Sequence, residues 1–252
     1  YKEFGGVYVE RTVTLNQAVD ESKTTAARYD PETGTLVFVP ATFRTVDGKT
    51  AAKIKRNGNS IYVVLEHERS FADLAGHWAA ADIELLAGKL LLSGTGPDTF
   101  EPDQAVTRGE FAVMLARGLG LTANAAASAR FRDVERNVWY AGAVGAAAEA
   151  GLAAGFSDGT FRPQEKITRE QIAVMLVRAM RFAGMEVPAA GEPAFADRAE
   201  ISPWASGAAA AVRAAGIMGG RPGGIFAPGD AASRAETAVM LKRLLQKAAF
   251  ID

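Results

Sequence analysis

The sequence predicts a mainly α-helical protein with a small β-rich domain at its N-terminus, the helical part written as three tandem helix-loop-helix repeats. Three observations lead there. The first 70 of the 252 residues alternate β-branched runs with hairpin-turn signals, whereas the remainder is Ala-rich and broken by Gly, Asp and Pro. From Phe71 onward one set of positions recurs three times at fixed spacing. Each recurrence carries the same helix-start signature.

In the first segment, Val7 to Thr14, Leu36 to Val39 and Ser60 to Leu65 are rich in β-branched and aromatic residues. Between them lie Asp30-Pro31-Glu32-Thr33-Gly34, Asp47-Gly48 and Asn57-Gly58. Asp-Gly and Asn-Gly pairs supply the positive φ angles of tight hairpins. Five or six short antiparallel strands are predicted over 1–70, either a complete small domain or the tail of a larger one. The segment shows no chemistry of its own.

The repeat is read from spacing. Phe-x-Asp occurs at Phe71–Asp73, Phe131–Asp133 and Phe195–Asp197, and the chain's three tryptophans, Trp78, Trp139 and Trp204, each follow one. Phe-x-Pro then occurs at Phe100, Phe161 and Phe226, always 22 positions after the Trp. Eight positions further on stand Arg108, Arg169 and Arg234, each preceded by Thr or Ser. Gly94, Gly155 and Gly220 lie 16 after their Trp, and Met114, Met175 and Met240 lie 6 after their Arg. So many coincident columns place repeats at 71–126, 127–190 and 191–252. Linkers are expected at Leu121 to Arg130 and at Gly184 to Ala194, which carries Pro188 and Pro193.

Within each copy, helix one is expected to run from near the Trp to just before the glycine. In the first copy this is Trp78 to Leu91, with Ile83, Leu86 and Leu90 on one face. A Gly-rich loop ends in Phe-x-Pro, and helix two follows. Thr107-x-x-Glu110, Thr168-x-x-Gln171 and Ser233-x-x-Glu236 are capping boxes, in which hydroxyl and carboxylate or amide satisfy each other's backbone N–H groups. Val106 with Phe111 and Ile167 with Ile172 fit the hydrophobic staple, which Ala232 and Thr237 do not continue in the third copy. A helix pair of ~55–60 residues has too little core to stand alone. The three copies either stack in a line or close on one another. Closure into a pseudo-threefold body is preferred, in part on the resemblance described below.

Composition removes several function classes. Net charge is −1, against a bulk electrostatic nucleic-acid binder. There is no cysteine, hence no disulfide, thiolate site or cysteine nucleophile, and two histidines do not make a His-rich metal cluster. No apolar run approaches the length of a membrane span. No nucleophile elbow, His-Glu-x-x-His or P-loop occurs, and Asp158-Gly159 and Gly229-Asp230 read as turn dipeptides rather than calcium loops. No catalytic set emerges and no cofactor is expected. The chain opens at Tyr1 without a signal-peptide pattern and reads as a mature chain or a piece of a larger protein.

The arginines are the most informative candidates. Arg108, Arg169 and Arg234 each stand at the first position of a helix, where the macrodipole is positive and a cation is locally unfavourable. Either an anion is bound there by free amides and guanidinium together, or the arginine forms an internal salt bridge, most naturally to Asp73, Asp133 or Asp197. Both readings stay open. Those aspartates are otherwise expected to cap helix one. The tryptophans are expected in the core, the alternative being a platform for a sugar. Glu110, Gln171 and Glu236 are assigned to capping. Gly94, Gly155 and Gly220 permit either positive φ or close backbone approach.

The ordered set Phe-x-Asp, His-Trp or Trp-Tyr, Phe-x-Pro and Thr-Arg resembles the S-layer homology domain, and Phe156 to Glu170 is close to that family's signature. The resemblance covers about 71–247. It implies a pseudo-trimer of repeats with grooves between neighbours. It also implies binding of secondary cell-wall polysaccharide through a terminal pyruvylated amino sugar, whose carboxylate suits the arginines. It adds Gly151 and Gly216 at the end of helix one as groove residues, and the first copy departs there with Leu90. The third copy's Met218 to Gly224 replaces the usual loop, so the grooves are expected to be unequal. The expected function is a non-catalytic, extracellular anchor of a larger protein on a bacterial cell wall. The alternative is an S-layer lattice subunit whose main activity is self-assembly. An enzyme is disfavoured for want of a catalytic constellation. Neither nucleic acid nor membrane insertion is expected.

Overall fold

The computed structural model describes residues 7–31, 33–189 and 191–252. Tyr1, Glu32 of the first predicted turn and Ala190 of the second predicted linker lie outside the described residues. The chain divides into two compact units. One comprises Tyr1–Pro102, Arg117–Gly120 and Leu245–Asp252, the other Asp103–Ala116 and Leu121–Leu244.

In the first unit six strands form two antiparallel three-stranded sheets: β1 (Val9–Leu15), β5 (Lys49–Arg56) and β4 (Ala41–Val46) in one, β3 (Thr35–Phe38), β2 (Thr24–Asp30) and β6 (Ile61–Glu66) in the other. The predicted Asp47-Gly48 turn joins β4 to β5, with both residues at positive φ (50° and 75°) and Val46 opposite Lys49. This is the geometry that a two-residue hairpin of right-handed twist demands. β5 alternates exposed and buried along its length, placing Ala52 and Ile54 against Ala26, Val39, Ala41 and Phe43 in a core shared by both sheets. The chain's last residues complete this unit. Phe250 O accepts from Ala41 N at 2.8 Å, and the Asp252 carboxylate accepts from Phe43 N at 3.1 Å.

The first repeat's helix one, α1 (Ala80–Gly88), is shorter than expected at both ends. Leu90, expected on its buried face, instead takes φ 62° and ends the helix. The amides of Leu90 and Leu91 then bond back to Ala87 and Leu86, the Schellman closure usually built on glycine. Gly151 (φ 70°) and Gly216 (φ 65°) make the same closure after α3 (Ala141–Glu149) and α5 (Pro203–Ala214).

Helix two of the three repeats is α2 (Arg108–Gly118), α4 (Arg169–Phe182) and α6 (Arg234–Lys247), each starting at its arginine. The capping box closes both ways in the first and third copies: Thr107 N donates to Glu110 Oε2 at 2.8 Å while Glu110 N donates to Thr107 Oγ1, and Ser233 and Glu236 do likewise. In the second only half of it forms, Gln171 N donating to Thr168 Oγ1 at 3.4 Å while Gln171 Oε1 faces Arg108. Just ahead of these helices the second unit carries a closed ring of backbone bonds. Val106 N donates to Ala232 O, Ala232 N to Ile167 O, and Ile167 N to Val106 O, at 3.0, 3.3 and 3.0 Å. All three residues are fully buried, so their amides find partners only in each other's strands.

Candidate functional site

A second ring uses the helix starts themselves. Arg108 N donates to Glu165 O, Arg169 N to Asp230 O, and Arg234 N to Gln104 O. Gly109 N and Glu170 N add bonds to Pro163 O and Pro228 O. The first amides of these helices, orphans in an isolated helix, are therefore taken by carbonyls of another repeat. The first amide of each helix is thus occupied by the protein itself.

The guanidiniums follow the same rule. Arg108 is nearly buried; its Nε donates to Phe161 O at 3.0 Å, its Nη2 to Ala154 O at 2.6 Å, and its Nη1 reaches Gln171 Oε1 at 3.5 Å. Arg169, 2% exposed, repeats this on the third copy with Phe226 O, Gly219 O and Glu236 Oε1 at 2.6, 3.1 and 3.0 Å. Each arginine thus ties its repeat to the next. The ion pair of Arg169 is with the capping Glu236, not with a Phe-x-Asp carboxylate. Arg234 is likewise buried. Burial, reinforced by the like charge of Arg178, draws the Arg108 pKa down to about 10.

The aspartates do not cap helix one; they hold the Phe-x-Pro turns, and Asp197 also feels the charge of Arg169. Asp133 accepts from Phe161 N and Arg162 N, both at 2.7 Å, and Asp73 and Asp197 grip Phe100–Glu101 and Phe226–Ala227 in the same way. The middle residue of every Phe-x-Pro is left-handed: Glu101 at φ 58°, Arg162 at 60°, Ala227 at 54°. The carboxylate holds the two amides of a turn that L-residues before proline disfavour. At Asp197 burial works to raise the pKa, but the Phe226 and Ala227 amides outweigh it and the pKa falls.

The loop glycines serve close approach rather than positive φ. A Cβ on Gly155 would lie 2.7 Å from both the Phe131 ring and Thr160 O, and one on Gly94 would lie 2.6 Å from the Phe71 ring. Gly220 is less tightly packed, its nearest neighbour being Gly224 at 3.1 Å.

The expectation of core tryptophans is overturned. Trp78, Trp139 and Trp204 are 66%, 67% and 59% exposed, because each stands at or just before the start of helix one, where its ring projects outward. The three repeated indoles therefore stand in water rather than in the core.

A cavity of about 470 Å³ lies on the second repeat, lined by Arg130, Phe131, Gly151, Ala154, Gly155 and Arg178 among others. Ala154 is the residue whose carbonyl holds Arg108. Among the described residues no carboxylate lines this cavity. It brings together Gly151, Gly155 and the Arg108 tie, but the tryptophans are not among its lining residues. Arg178 escaped the sequence reading, although its signal was present. Arg117, Arg178 and Arg243 each stand 9 positions after the helix-start arginine, a column that reads as an ordinary polar helix face.

Comparison with known proteins bears on what this arrangement is. The sequence pattern of the S-layer homology domain matches residues 70–112, 130–173 and 194–238. The chain belongs to the S-layer homology domain family. Its three S-layer homology repeats are similar to regions of much longer proteins. An amylopullulanase of Thermoanaerobacterium thermosulfurigenes is 33% identical over 241 residues, 95% of this chain and 13% of that protein. An exoglucanase of Acetivibrio thermocellus is 36% identical over 73% of this chain and 17% of its own length. An S-layer protein of Bacillus anthracis is 31% identical over 68% of this chain and 19% of its own. The chain thus spans less than a fifth of each of these relatives. No helix among the described residues is long and apolar enough to cross a membrane.

Proposed function

We propose that this chain is a non-catalytic anchor holding a larger extracellular protein to a bacterial cell wall. It binds an anionic secondary cell-wall polysaccharide, through a terminal pyruvylated amino sugar, in grooves between repeats arranged about a pseudo-threefold axis. One observation carries the reading: the second-repeat cavity presents Arg130 and Arg178 with no carboxylate in its lining among the described residues, beside the buried positive charge of Arg108. An uncompensated cationic cleft of this kind suits a carboxylate. The ring of backbone bonds through Val106, Ile167 and Ala232 supports the threefold arrangement. The exposed tryptophans supply aromatic faces of the sort that sugars stack on.

In this reading the helix-start arginines and the Phe-x-Asp carboxylates act by building the groove wall. The loop glycines let the backbone approach the sugar, and Arg130 and Arg178 meet its charge. In the third repeat the loop arginine is paired internally, since Arg221 and Arg169 both pair with Glu236 there and Arg221 also pairs with Asp230. Relatives named as enzymes, and others named as surface-layer proteins, suit a shared anchoring role.

Calorimetry against purified wall polymer, native and chemically depyruvylated, tests the proposal. Binding to the native polymer should fall at least about tenfold on depyruvylation, and about tenfold in Arg178→Gln, the loss of one charged hydrogen-bond donor. Trp139→Ala should weaken binding without moving the melting temperature. Equal affinity for both polymers would overturn the carboxylate mechanism.

A further inference from the structure

We propose that this chain pairs with a second copy of itself through the open edge of β1, the two strands running antiparallel about a twofold axis at Thr12. The pairing does not depend on sugar binding. Anchoring only sets how closely copies are brought together.

The sheet β1-β5-β4 has two edges and treats them differently. On β4 the outward amides are covered. Ala41 N donates to Phe250 O, Phe43 N to the Asp252 carboxylate and Thr45 N to Glu21 Oε1, at 2.8, 3.1 and 2.8 Å. The backbone groups of alternate residues point to opposite sides of a strand, so Thr42, Arg44 and Val46 turn theirs toward β5. They stand opposite Lys53, Ala51 and Lys49, which leaves Thr50, Ala52, Ile54 and Arg56 to face β1. These match Leu15, Val13, Arg11 and Val9. The N–H and C=O groups of Glu10, Thr12 and Thr14 therefore point away from the sheet. All three residues are exposed, and among the described residues no loop, tail or side chain meets those groups.

Proteins usually shield such an edge with proline, a bulge, unpaired charge or a covering segment. β1 has none of these among the described residues. Its seven residues include no Gly or Pro and its register on β5 is unbroken. Its two charges are already engaged, Glu10 with Lys53 at 3.4 Å and Arg11 Nη2 with Asn59 Oδ1 at 2.8 Å. Val9 and Val13 are exposed beside them.

The strand is complementary to itself in one register. Centring the pair on Glu10 or Arg11 sets like charges face to face, which is destabilising. Centring it on Val13 shortens the overlap. Centred on Thr12, the whole strand is used: Val9 lies opposite Leu15 of the second copy, Glu10 opposite Thr14 and Arg11 opposite Val13. The outward residues Glu10, Thr12 and Thr14 then form the hydrogen-bonded pairs, each exchanging two backbone bonds. Because the β4 edge is covered, the doubled sheet ends at β4 on both sides, and association stops at a closed dimer instead of growing into a fibre. Two paired strand edges make a small contact of the weak, transient class. Copies held side by side on a wall meet at effective concentrations of about millimolar, where such a contact is populated.

Sedimentation velocity on the full chain up to about 1 mM, together with amide exchange at Glu10, Thr12 and Thr14, tests the proposal. A monomer–dimer equilibrium is expected, the three amides gaining protection as concentration rises. Thr12→Lys places like charges opposite each other on the axis, and Thr12→Pro removes an outward N–H without touching the ladder to β5. Each should raise the dimer dissociation constant at least about tenfold while the fold persists by melting temperature. The chain has no cysteine, so on oxidation Thr12→Cys should cross-link two copies and Val46→Cys, exposed at the end of β4, should not. A chain that stays monomeric throughout, a dimer indifferent to Thr12→Lys, or equal cross-linking at the two positions overturns the proposal. Protection of the three amides in a monomer overturns it too, since another segment of the same chain then covers the edge.

Discussion

Arg169 in the second repeat donates its Nε hydrogen to the carbonyl oxygen of Phe226 in the third, at 2.6 Å. Its other donors reach Gly219 O and the Glu236 carboxylate. A side chain that the helix dipole should disfavour is retained because its neighbour in space supplies a carboxylate and two carbonyls. Arg169→Lys keeps the charge but presents no planar fork, leaving buried carbonyls unpaired. It should cost about 3 kcal/mol of unfolding free energy. Arg108→Lys should cost less, about 2 kcal/mol, because its third partner is the neutral Gln171 at 3.5 Å. Chemical denaturation of both variants checks the order; equal costs would deny the role given to Glu236.

Ala227 sits at φ 54° immediately before Pro228, held by the Asp197 carboxylate. Ala227→Gly removes the steric conflict of an L-residue in that region. Net of the added freedom of the unfolded chain, it should stabilise by about 0.5–1 kcal/mol. Asp197→Asn leaves one acceptor for two amides and should destabilise by about 1–2 kcal/mol. Melting temperatures of the two variants should therefore move in opposite directions.

Gly151 and Gly155 lie four positions apart and should answer differently to alanine. Gly151 has positive φ but open space around its missing Cβ, so Gly151→Ala carries backbone strain alone, about 1 kcal/mol. Gly155 has no such φ but no room, and Gly155→Ala should cost about 2–3 kcal/mol through displacement of Phe131 or the loop carbonyl. Thermal unfolding of the pair measures this, and a larger loss at Gly151 would contradict it.

Asp158 accepts from both the hydroxyl and the amide of Thr160, then from Arg162, and these hydrogen bonds hold its carboxyl at about pH 2. A folded pKa below the unfolded value means the contribution is fully present above about pH 4 and is lost as pH falls through about 2. Asp158→Asn should therefore lower stability near neutrality, where the contribution is present, and converge on the unmodified chain as pH falls through about 2, so that the acid limb between those values is flatter. Urea midpoints measured across that range check the sign.

The repeat, the helix starts and the hairpin turns were legible in the linear chain because each is set by residues a few positions apart. A capping box needs Thr107 and Glu110 on one turn, and Asp47-Gly48 needs only its own φ angles. The family itself was legible in the same spacings. What each recurring side chain does was not, because its partner lies 27 to 67 positions away. The aspartates were read as caps and instead hold a distant turn, whose left-handed residue is Glu, Arg or Ala and gives no local sign of it. The tryptophans were read as core from their apolar area, yet backbone direction at the start of helix one leaves them in water. Arg117 and Arg178 looked like any polar helix face until the fold set them against a glycine loop in cavities whose linings, among the described residues, hold no carboxylate. Local rules are decided by the chain's own covalent geometry. Groove chemistry is decided by which repeat's carbonyl, ring or charge the fold brings alongside, and that information exists only in three dimensions.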